Sequence, residues 1–556
     1  MEEYSREAFC HKVSDELVRY IANEFEKTIL LNVCLVQRTK HASKKRQSGF
    51  ILSSKIVDLL HGFTSFSERF HTVLEDGLKF IKNESEKWSI SISSWWKEGD
   101  SYRIQLDKVK AFTCILPKIV DFEILPIRHE FGLESNSTLL FCHVEQKLTI
   151  NDIRSLLYCS FVRKALKCDQ SLIHFSCDDE TCCDVIKNLD LGLMCNNSYK
   201  DYAADITKNT TVSDVPQRFL DCILSEEKDS FPCLSSLRNQ ENKTAFESRI
   251  ANTHKNAIFN TVRQNAKTCF HVCNQKNEMS ARQAELHHAW SSDVSKKSAQ
   301  TICSDSDKYF VHAGVNETRK AIDFIRMRKK QIIDAFETKL QISVKGKDWE
   351  NRVDKMTAAT IRLEFLKSSP TNRLKISTER ATLPTDVMFM LYNFSRLNML
   401  LNTFTTKVKE GKNRLCANFW KTIQYHHIHV FEHCSLVLSG YYPPLPSFSE
   451  LQLASLVEDA EWELFIDHLW MFFDVISKPV ITVGRNVIKI SCHNVIDYLQ
   501  QLCRSVSTFY SRHHILGQNL PHLLPALHAR IYLIKATRNA MLQILNLLGI
   551  EPPQQM

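Results

Sequence analysis

The apolar positions change their period along the chain, and each change marks a different kind of element. Up to about residue 135, a helical period from Phe9 to Phe25 is interleaved with short alternating runs, Ser89-Ile90-Ser91-Ile92 and Tyr102-Arg103-Ile104. Mixed periods of 3.6 and 2 predict helices packed on a sheet, an α+β segment. An apolar run, Leu139 to Val144, then precedes a helical stretch from Ile153 to Ala165 and a second strand-like run, Leu172 to Phe175. Strand, helix and strand in this order predict a βαβ unit, whose right-handed crossover makes the sheet parallel. Residues 201–262 lose all period and gain Ser, Asn, Asp, Glu and Lys, as a flexible insertion does. Cys269 to Val272 reads as a further strand, Met279 to Trp290 as a helix, and a basic helix starts at Thr318 after a second polar stretch. Beyond 350 the period is helical almost throughout: Met356–Leu366, Asp386–Val408, Ser449–Phe473, Val495–Tyr510 and His522–Leu548. Such a run predicts a helix bundle. The expected fold class is multi-domain α/β plus all-α: an N-terminal α+β domain (1–135), a Rossmann-like domain with its polar insertion (136–350) and a helical domain (351–556).

Composition narrows this picture. At 556 residues the chain exceeds a single ordinary core, and 44% hydrophobic with 24% charged residues is the balance of a folded protein. A net charge of +8 permits an anionic partner without announcing one. Nineteen cysteines, an odd number scattered through apolar segments, read as reduced thiols. The acidic start Met1-Glu2-Glu3-Tyr4 lacks the basic head of a signal peptide, and no uninterrupted apolar run of ~18 residues occurs. A cytoplasmic location without membrane insertion is therefore expected. Thirteen glycines, none in a P-loop or GxGxxG pattern, disfavour the Gly-loop nucleotide enzymes.

Candidate chemistry is sparse. Cys177-x4-Cys182-Cys183 and Cys269-x3-Cys273 lack CxxC pairing, and His429 and His433 lie one helical turn apart without the acid of HExxH, so no metal site is expected. No GxSxG elbow occurs, and carboxylate pairs such as Asp178-Asp179-Glu180 and Glu458-Asp459 are what any chain of this length supplies. Arg38, Lys40, Lys44, Lys45 and Arg46 crowd a polar loop, and Arg319, Lys320, Arg326, Arg328, Lys329 and Lys330 occupy several faces of the basic helix; solvated surface is the simpler reading of both, with a phosphate-contacting loop and an RNA-facing stripe as the alternatives. The last helix carries Leu524, Leu527, Ile531, Ile534, Leu542, Leu545 and Leu548 on one stripe with Arg530, Lys535 and Arg538 off it, which predicts basic residues on the outer surface of the bundle.

Three stretches of the C-terminal 200 residues carry a resemblance. They are Ala358-Ala359-Thr360-Ile361-Arg362-Leu363-Glu364-Phe365-Leu366, Leu391-Tyr392-Asn393-Phe394-Ser395-Arg396-Leu397, and Ala536-Thr537-Arg538-Asn539-Ala540-Met541 running on to Leu547-Leu548-Gly549-Ile550-Glu551-Pro552-Pro553 and Met556. They resemble the DALR anticodon-binding region of class I arginyl-tRNA synthetases. Thr149-Ile150-Asn151-Asp152, followed by Ile153-Arg154-Ser155, occupies the place of that family's HIGH signature, with Thr149 and Asp152 at its histidine positions and Asn151 at its glycine. Those histidines stabilise charge on ATP phosphates and the glycine admits adenine; Asp152 puts a negative charge there instead. Val344-Lys345-Gly346-Lys347 is the nearest approach to a KMSKS loop. A synthetase body with degraded ATP motifs, together with Glu461-Trp462-Glu463-Leu464, Phe509 to Gly517 and Pro521-His522-Leu523, resembles the family of DALR anticodon-binding domain-containing protein 3.

That resemblance implies a cofactor-free, non-catalytic adaptor that recognises arginine tRNAs and partners a methyltransferase installing 3-methylcytidine in the anticodon loop, with no DNA and no membrane partner. It implies tRNA contacts at Tyr392, Arg396, Tyr510, Arg512, Arg530, Arg538 and Met556. Single-stranded bases stack on aromatic rings and guanidinium planes, and Arg530 and Arg538 are the phosphate candidates. Tyr392 and Tyr510 also fit core positions at helical spacing, and Arg396 a buried structural arginine. Two other readings stand beside the adaptor: an arginyl-tRNA ligase with divergent motifs, and a scaffold of synthetase ancestry that binds only protein.

Overall fold

The computed structural model describes residues 4–24, 36–38, 50–52, 67–98, 101–123, 138–144, 148–166, 171–175, 185, 188–189, 268–273, 307–312, 319–340, 346–369, 372, 374, 384–422, 441–477, 481–483, 488–513, 515–516 and 520–552. The insertion at 201–262, the helix expected at 279–290, His429, His433, Lys40 to Arg46, Cys177, Cys182, Cys183 and Met556 lie outside them.

At the N-terminal end, helices α1 (Arg6–Glu24), α2 (Ser67–Ser85) and α3 (Lys108–Val120) accompany an antiparallel sheet of β1 (Val36–Arg38), β2 (Phe50–Leu52), β3 (Ile92–Glu98) and β4 (Ser101–Leu106), in the order β1-β2-β4-β3. The alternating register pairs Trp95 with Ile104 and Lys97 with Tyr102, so buried Ile104 and Tyr102 fix one face of the hairpin to the core. Tyr102 donates a hydrogen bond to Glu75 of α2 at 3.0 Å.

The βαβ unit forms as its period predicts. Strands β5 (Thr138–Val144), β6 (Ser171–Phe175), β7 (Thr268–Cys273) and β8 (Asp307–His312) make a four-stranded sheet in the order β6-β5-β7-β8, all three pairings parallel. Helix α4 (Ile150–Leu166) connects β5 to β6, and α5 (Ala321–Leu340) follows β8.

The helical part comprises α6 (Lys347–Leu366), α7 (Thr385–Thr422), α8 (Asp459–Leu464), α9 (Met471–Ser477), α10 (Cys492–Arg512) and α11 (Leu524–Leu547). Two sequence expectations need correction here. The single helix expected over 449–473 is broken into 3-10 turns at Phe448–Glu450 and Leu453–Ser455, then α8, a π turn at Phe465–Leu469, and α9. Capping boxes at Ser447/Glu450 and Glu458/Glu461 restart the chain twice, because each supplies backbone donors with local partners that a continuous helix does not need. A short antiparallel pair, β9 (Ile481–Val483) with β10 (Ile488–Ile490), also interrupts the helices.

One continuous apolar core runs from α1 through α4 and α6 to α11. The N-terminal and C-terminal parts meet through aromatic edges: Phe112 packs against Trp462 and Phe465 with centroids 5.6 and 4.6 Å away, and Phe122 against Phe472 at 5.2 Å. Trp470 donates its indole N–H to the Tyr4 carbonyl at 2.9 Å. Asn539 of α11 donates to the carbonyls of Ile119, Val120 and Phe122 at 2.7, 3.2 and 3.0 Å, serving carbonyls that the end of α3 leaves without helical partners. Among the described residues no helix is long and apolar enough to cross a membrane.

Candidate nucleic-acid interface

Helices α7 and α10 bring two of the expected site residues into contact. The Arg396 guanidinium carbon lies 3.6 Å from the Tyr510 ring centroid, a close cation–π stack. Both side chains are half-buried, and Tyr510 packs on the core. Tyr392 stands one turn before Arg396 and is 44% exposed, and Met399 follows on the same side at 48%. Helical spacing of four and three residues puts all three on one stripe of α7, so Tyr392 is a surface residue. Arg512, in the last turn of α10, is exposed, where its charge also suits the negative end of the helix macrodipole.

Arg538 reaches α7 from its other side. Its Nε donates to Asn398 Oδ1 at 2.9 Å, and its guanidinium lies 5.7 Å from the Phe394 ring. Burial lowers its pKa from the usual arginine value, and among the described residues no carboxylate comes within ion-pair distance of it. Asn398, 4% exposed, is a partner of Arg538 that sequence reasoning missed; an asparagine five residues before a surface threonine carries no signal of its own.

Arg530 is held elsewhere. It donates to Glu461 at 2.6 Å, with the arginine side chain 21% exposed and the glutamate fully buried. The second Glu461 oxygen accepts the Glu458 N–H at 3.0 Å, so the acid serves a capping box and an ion pair together. The expectation that α11 turns its basic residues outward is corrected: the helix is buried on most of its faces, and Lys535 is the basic residue of α11 that is exposed. A helix that is apolar nearly all round belongs at the centre of its bundle, and Ala529, Ala536 and Ala540 let neighbours approach the side assigned to solvent.

At Thr149 to Asp152, the stretch that the sequence likeness set against the HIGH signature, the first turn of α4 is closed upon itself. Asp152 is fully buried and its Oδ2 accepts both the backbone N–H and the hydroxyl of Thr149 at 2.8 Å. Ile150 N–H bonds the Arg319 carbonyl at 3.0 Å, and Ala321 N–H the Leu148 carbonyl at 2.9 Å, so α4 and α5 start side by side. Asn151 is 7% exposed with its Oδ1 unsatisfied among the described residues. Arg154, fully buried, spans to the segment after α6, donating to the carbonyls of Asn372, Ser368 and Ser369 at 2.7, 3.1 and 2.8 Å. Gly346, within the stretch Val344 to Lys347 singled out in the sequence, caps α6 at φ 107°, a conformation suited to glycine. No group of three or more metal-ligating side chains occurs among the described residues.

The C-terminal segment ends in a Schellman turn. Gly549 takes φ 73°, and Ile550 N–H reaches the Leu545 carbonyl at 2.8 Å. Arg362 of α6, 2% exposed, donates to the Leu189 carbonyl at 3.0 Å and to that of Leu548 at 3.4 Å, and Lys355 pairs with Glu551 at 2.6 Å. This ties the end of α11 to the helix that enters the bundle.

α8 through α11, with the turn that follows, are the part of this chain that a family profile recognises. Residues 448–556 match the DALR anticodon binding domain. The DALR segment thus supplies Tyr510, Arg512, Arg530 and Arg538, while Tyr392 and Arg396 come from the preceding helix. Curated proteins named DALR anticodon-binding domain-containing protein 3 are similar to the chain: that of Danio rerio is 26% identical over 245 residues, 42% of this chain and 39% of the relative. That of Mus musculus is 28% identical over 249 residues, 43% and 40% respectively. The matches span about two-fifths of each relative's length. In fold, the chain is similar to arginyl-tRNA synthetases. The Thermus thermophilus enzyme aligns over 98% of this chain and 100% of its own at 12% identity and a TM-score of 0.50. The Plasmodium falciparum enzyme aligns over 99% of both chains at 11% identity and 0.51.

Proposed function

We propose that this chain is a tRNA-binding protein of synthetase architecture that acts as a non-catalytic adaptor. In this reading it recognises arginine tRNAs through the DALR segment and supports 3-methylcytidine modification of the anticodon loop by a partner methyltransferase. The observation that carries the RNA half is the Arg396–Tyr510 stack, at 3.6 Å, on the border of the segment that matches an anticodon binding domain. An unstacked base gains ~1–3 kcal/mol from an aromatic platform; Arg396 holds the Tyr510 ring in place, and Tyr392, one turn before Arg396, is exposed. The non-catalytic half is supported by Asp152. Its buried carboxylate occupies the start of α4 with Thr149, where phosphate chemistry requires a positive environment.

The fold likeness to arginyl-tRNA synthetases over nearly the whole chain favours a second reading, an arginyl-tRNA ligase with divergent motifs. Arginine-dependent exchange of pyrophosphate into ATP separates the two. The adaptor gives no exchange above background with tRNA present, whereas exchange that rises with arginine concentration overturns it. Titration of an arginine tRNA transcript tests the RNA half: Arg396→Ala with Tyr510→Ala is expected to weaken binding about tenfold or more, in line with loss of one stacked base. Equal affinity of the double variant and the parent protein contradicts the placement of the site.

A further inference from the structure

Two contacts set the relation between α7 and α10. Arg396 stacks on Tyr510, and the Cys503 thiol donates to the Met390 carbonyl at 4.0 Å. The step from Met390 to Arg396 on α7 thus matches the step from Cys503 to Tyr510 on α10, so the two helices run side by side in the same direction. In that register Arg504 stands level with the turn at Leu391 and Tyr392, and Arg512 with Met399. Tyr392 and Met399, both exposed, lie within about 60° of Arg396 around α7, at about 100° per residue. Around α10 the surface opens from Tyr510 through half-buried Ser507 to exposed Ser511, Arg504, Thr508 and Arg512. These exposed residues are reached from the contact by turning one way about α7 and the other way about α10. In parallel helices that puts both faces on the same side, with the Arg396–Tyr510 stack along the floor between them.

The two walls of this groove differ in chemistry. On α7, Tyr392 and Met399 bring an aromatic ring and a thioether. On α10, Arg504 and Arg512 bring two guanidinium groups on a rise of about 12 Å, and among the described residues no carboxylate pairs with either. Thr508 and Ser511 donate their hydroxyls to the Arg504 and Thr508 carbonyls at 3.0 and 2.8 Å, which leaves the arginines as the donors of that wall beside the stack. Asp497, the one acid of α10, stands two turns before Arg504, at the end remote from Tyr510. An unpaired nucleic-acid strand has the same two sides, apolar base faces and an anionic backbone, whereas a duplex keeps its base faces inside the stack. From these observations we infer that the groove grips an unpaired RNA strand from both sides, bases against Tyr392, Met399 and the Arg396–Tyr510 stack, and phosphates against Arg504 and Arg512. The inference rests on the tRNA-binding reading above. It adds the form of RNA that the site takes, the side on which the backbone lies, and Arg504 as a contact.

The test titrates three fluorescent RNAs with the full chain, from about 50 to about 200 mM salt: a whole arginine tRNA transcript, its anticodon stem-loop, and a fully paired duplex of the stem-loop's length. The stem-loop should bind about tenfold or more tightly than the duplex, in line with one stacked base. Each phosphate contact to a single strand contributes ~0.7 to the slope of log affinity against log salt. Arg504→Gln/Arg512→Gln should therefore lose about 1.4 of that slope, so that its affinity falls about sevenfold less than the parent's across the range. Arg504→Lys/Arg512→Lys should keep the parent slope, because counterion release follows charge. Both variants should melt close to the parent, since both side chains stand in solvent. A glutamine variant with the parent slope and affinity overturns the phosphate wall, and a duplex bound as tightly as the stem-loop overturns the unpaired strand. Either result leaves the tRNA-binding reading standing. So does a parent protein that binds the whole transcript but not the stem-loop, which overturns the groove; failure to bind any of the three at the lowest salt overturns both.

Discussion

Arginines in this chain divide by what their guanidinium groups meet. Arg154 and Arg362 serve carbonyl groups near helix ends, Arg328 and Arg530 meet buried or nearly buried carboxylates, while Arg396 stacks on Tyr510 and Arg538 leans on Phe394 and Asn398. The sequence put Arg530 and Arg538 together on one outward face, because a wheel registers position and not the partner waiting there. Glu461, whose motif was visible as Glu461-Trp462-Glu463-Leu464, gave no sign that it pairs across 69 positions. Breaking that pair leaves a partly buried cation. Glu461→Gln is expected to destabilise by about 2–3 kcal/mol, below the 3–5 of a wholly buried pair because Arg530 keeps some water, and denaturant midpoints measure it. Tyr102 provides a pH prediction. Burial, then its bond to Glu75, raises its phenol from 10.0 to about 12. A group whose folded pKa lies above its unfolded value stabilises fully below the unfolded value, so stability should fall from pH 10 to 12 as the unfolded chain ionises first. Tyr102→Phe should flatten that fall in a series of melts; an identical fall in both proteins would contradict the assignment.

Strong periodicity made most elements legible. The parallel βαβ unit, the helix expected from Asp386 and the one expected from Val495 all formed, with α7 and α10 longer than their apolar stripes. Failures occurred where neighbours rather than period decide. Capping boxes split the 449–473 stretch, and α11 became a central helix because small residues admit packing on its nominal outer side. Asn539 illustrates the same limit, since nothing local says that its amide will serve three carbonyls at the end of α3. Asn539→Ala is expected to cost about 1–3 kcal/mol by taking an amide donor from those carbonyls, of which that of Ile119 keeps the Phe122 N–H. Hydrogen exchange should localise the loss to α3 and the segment to Phe122; uniform loosening of the whole chain would argue against this lock. Gly549→Ala, forced into φ 73°, should cost about 1 kcal/mol and loosen the end of α11.

At the scale of the whole chain, the aromatic contacts of Phe112 and Phe122 and the Asn539 amide join the N-terminal sheet region to the helices of the DALR segment within one core. A continuous core, against which Tyr510 packs, holds the Arg396–Tyr510 stack on the same body as the N-terminal sheet region. The resemblance carried by Leu391 to Leu397 and Ala536 to Glu551 pointed to the family name that the relatives bear, and to the synthetase fold. Which residues face solvent came from packing alone. The most direct measurement is to crosslink the protein lightly to RNA in its own cells, recover and sequence the bound RNA, and repeat with Arg396→Ala/Arg512→Ala. The account predicts enrichment of arginine tRNAs with crosslinks in the anticodon loop, reduced at least tenfold in the double variant. Recovery of no tRNA from the parent protein would contradict it.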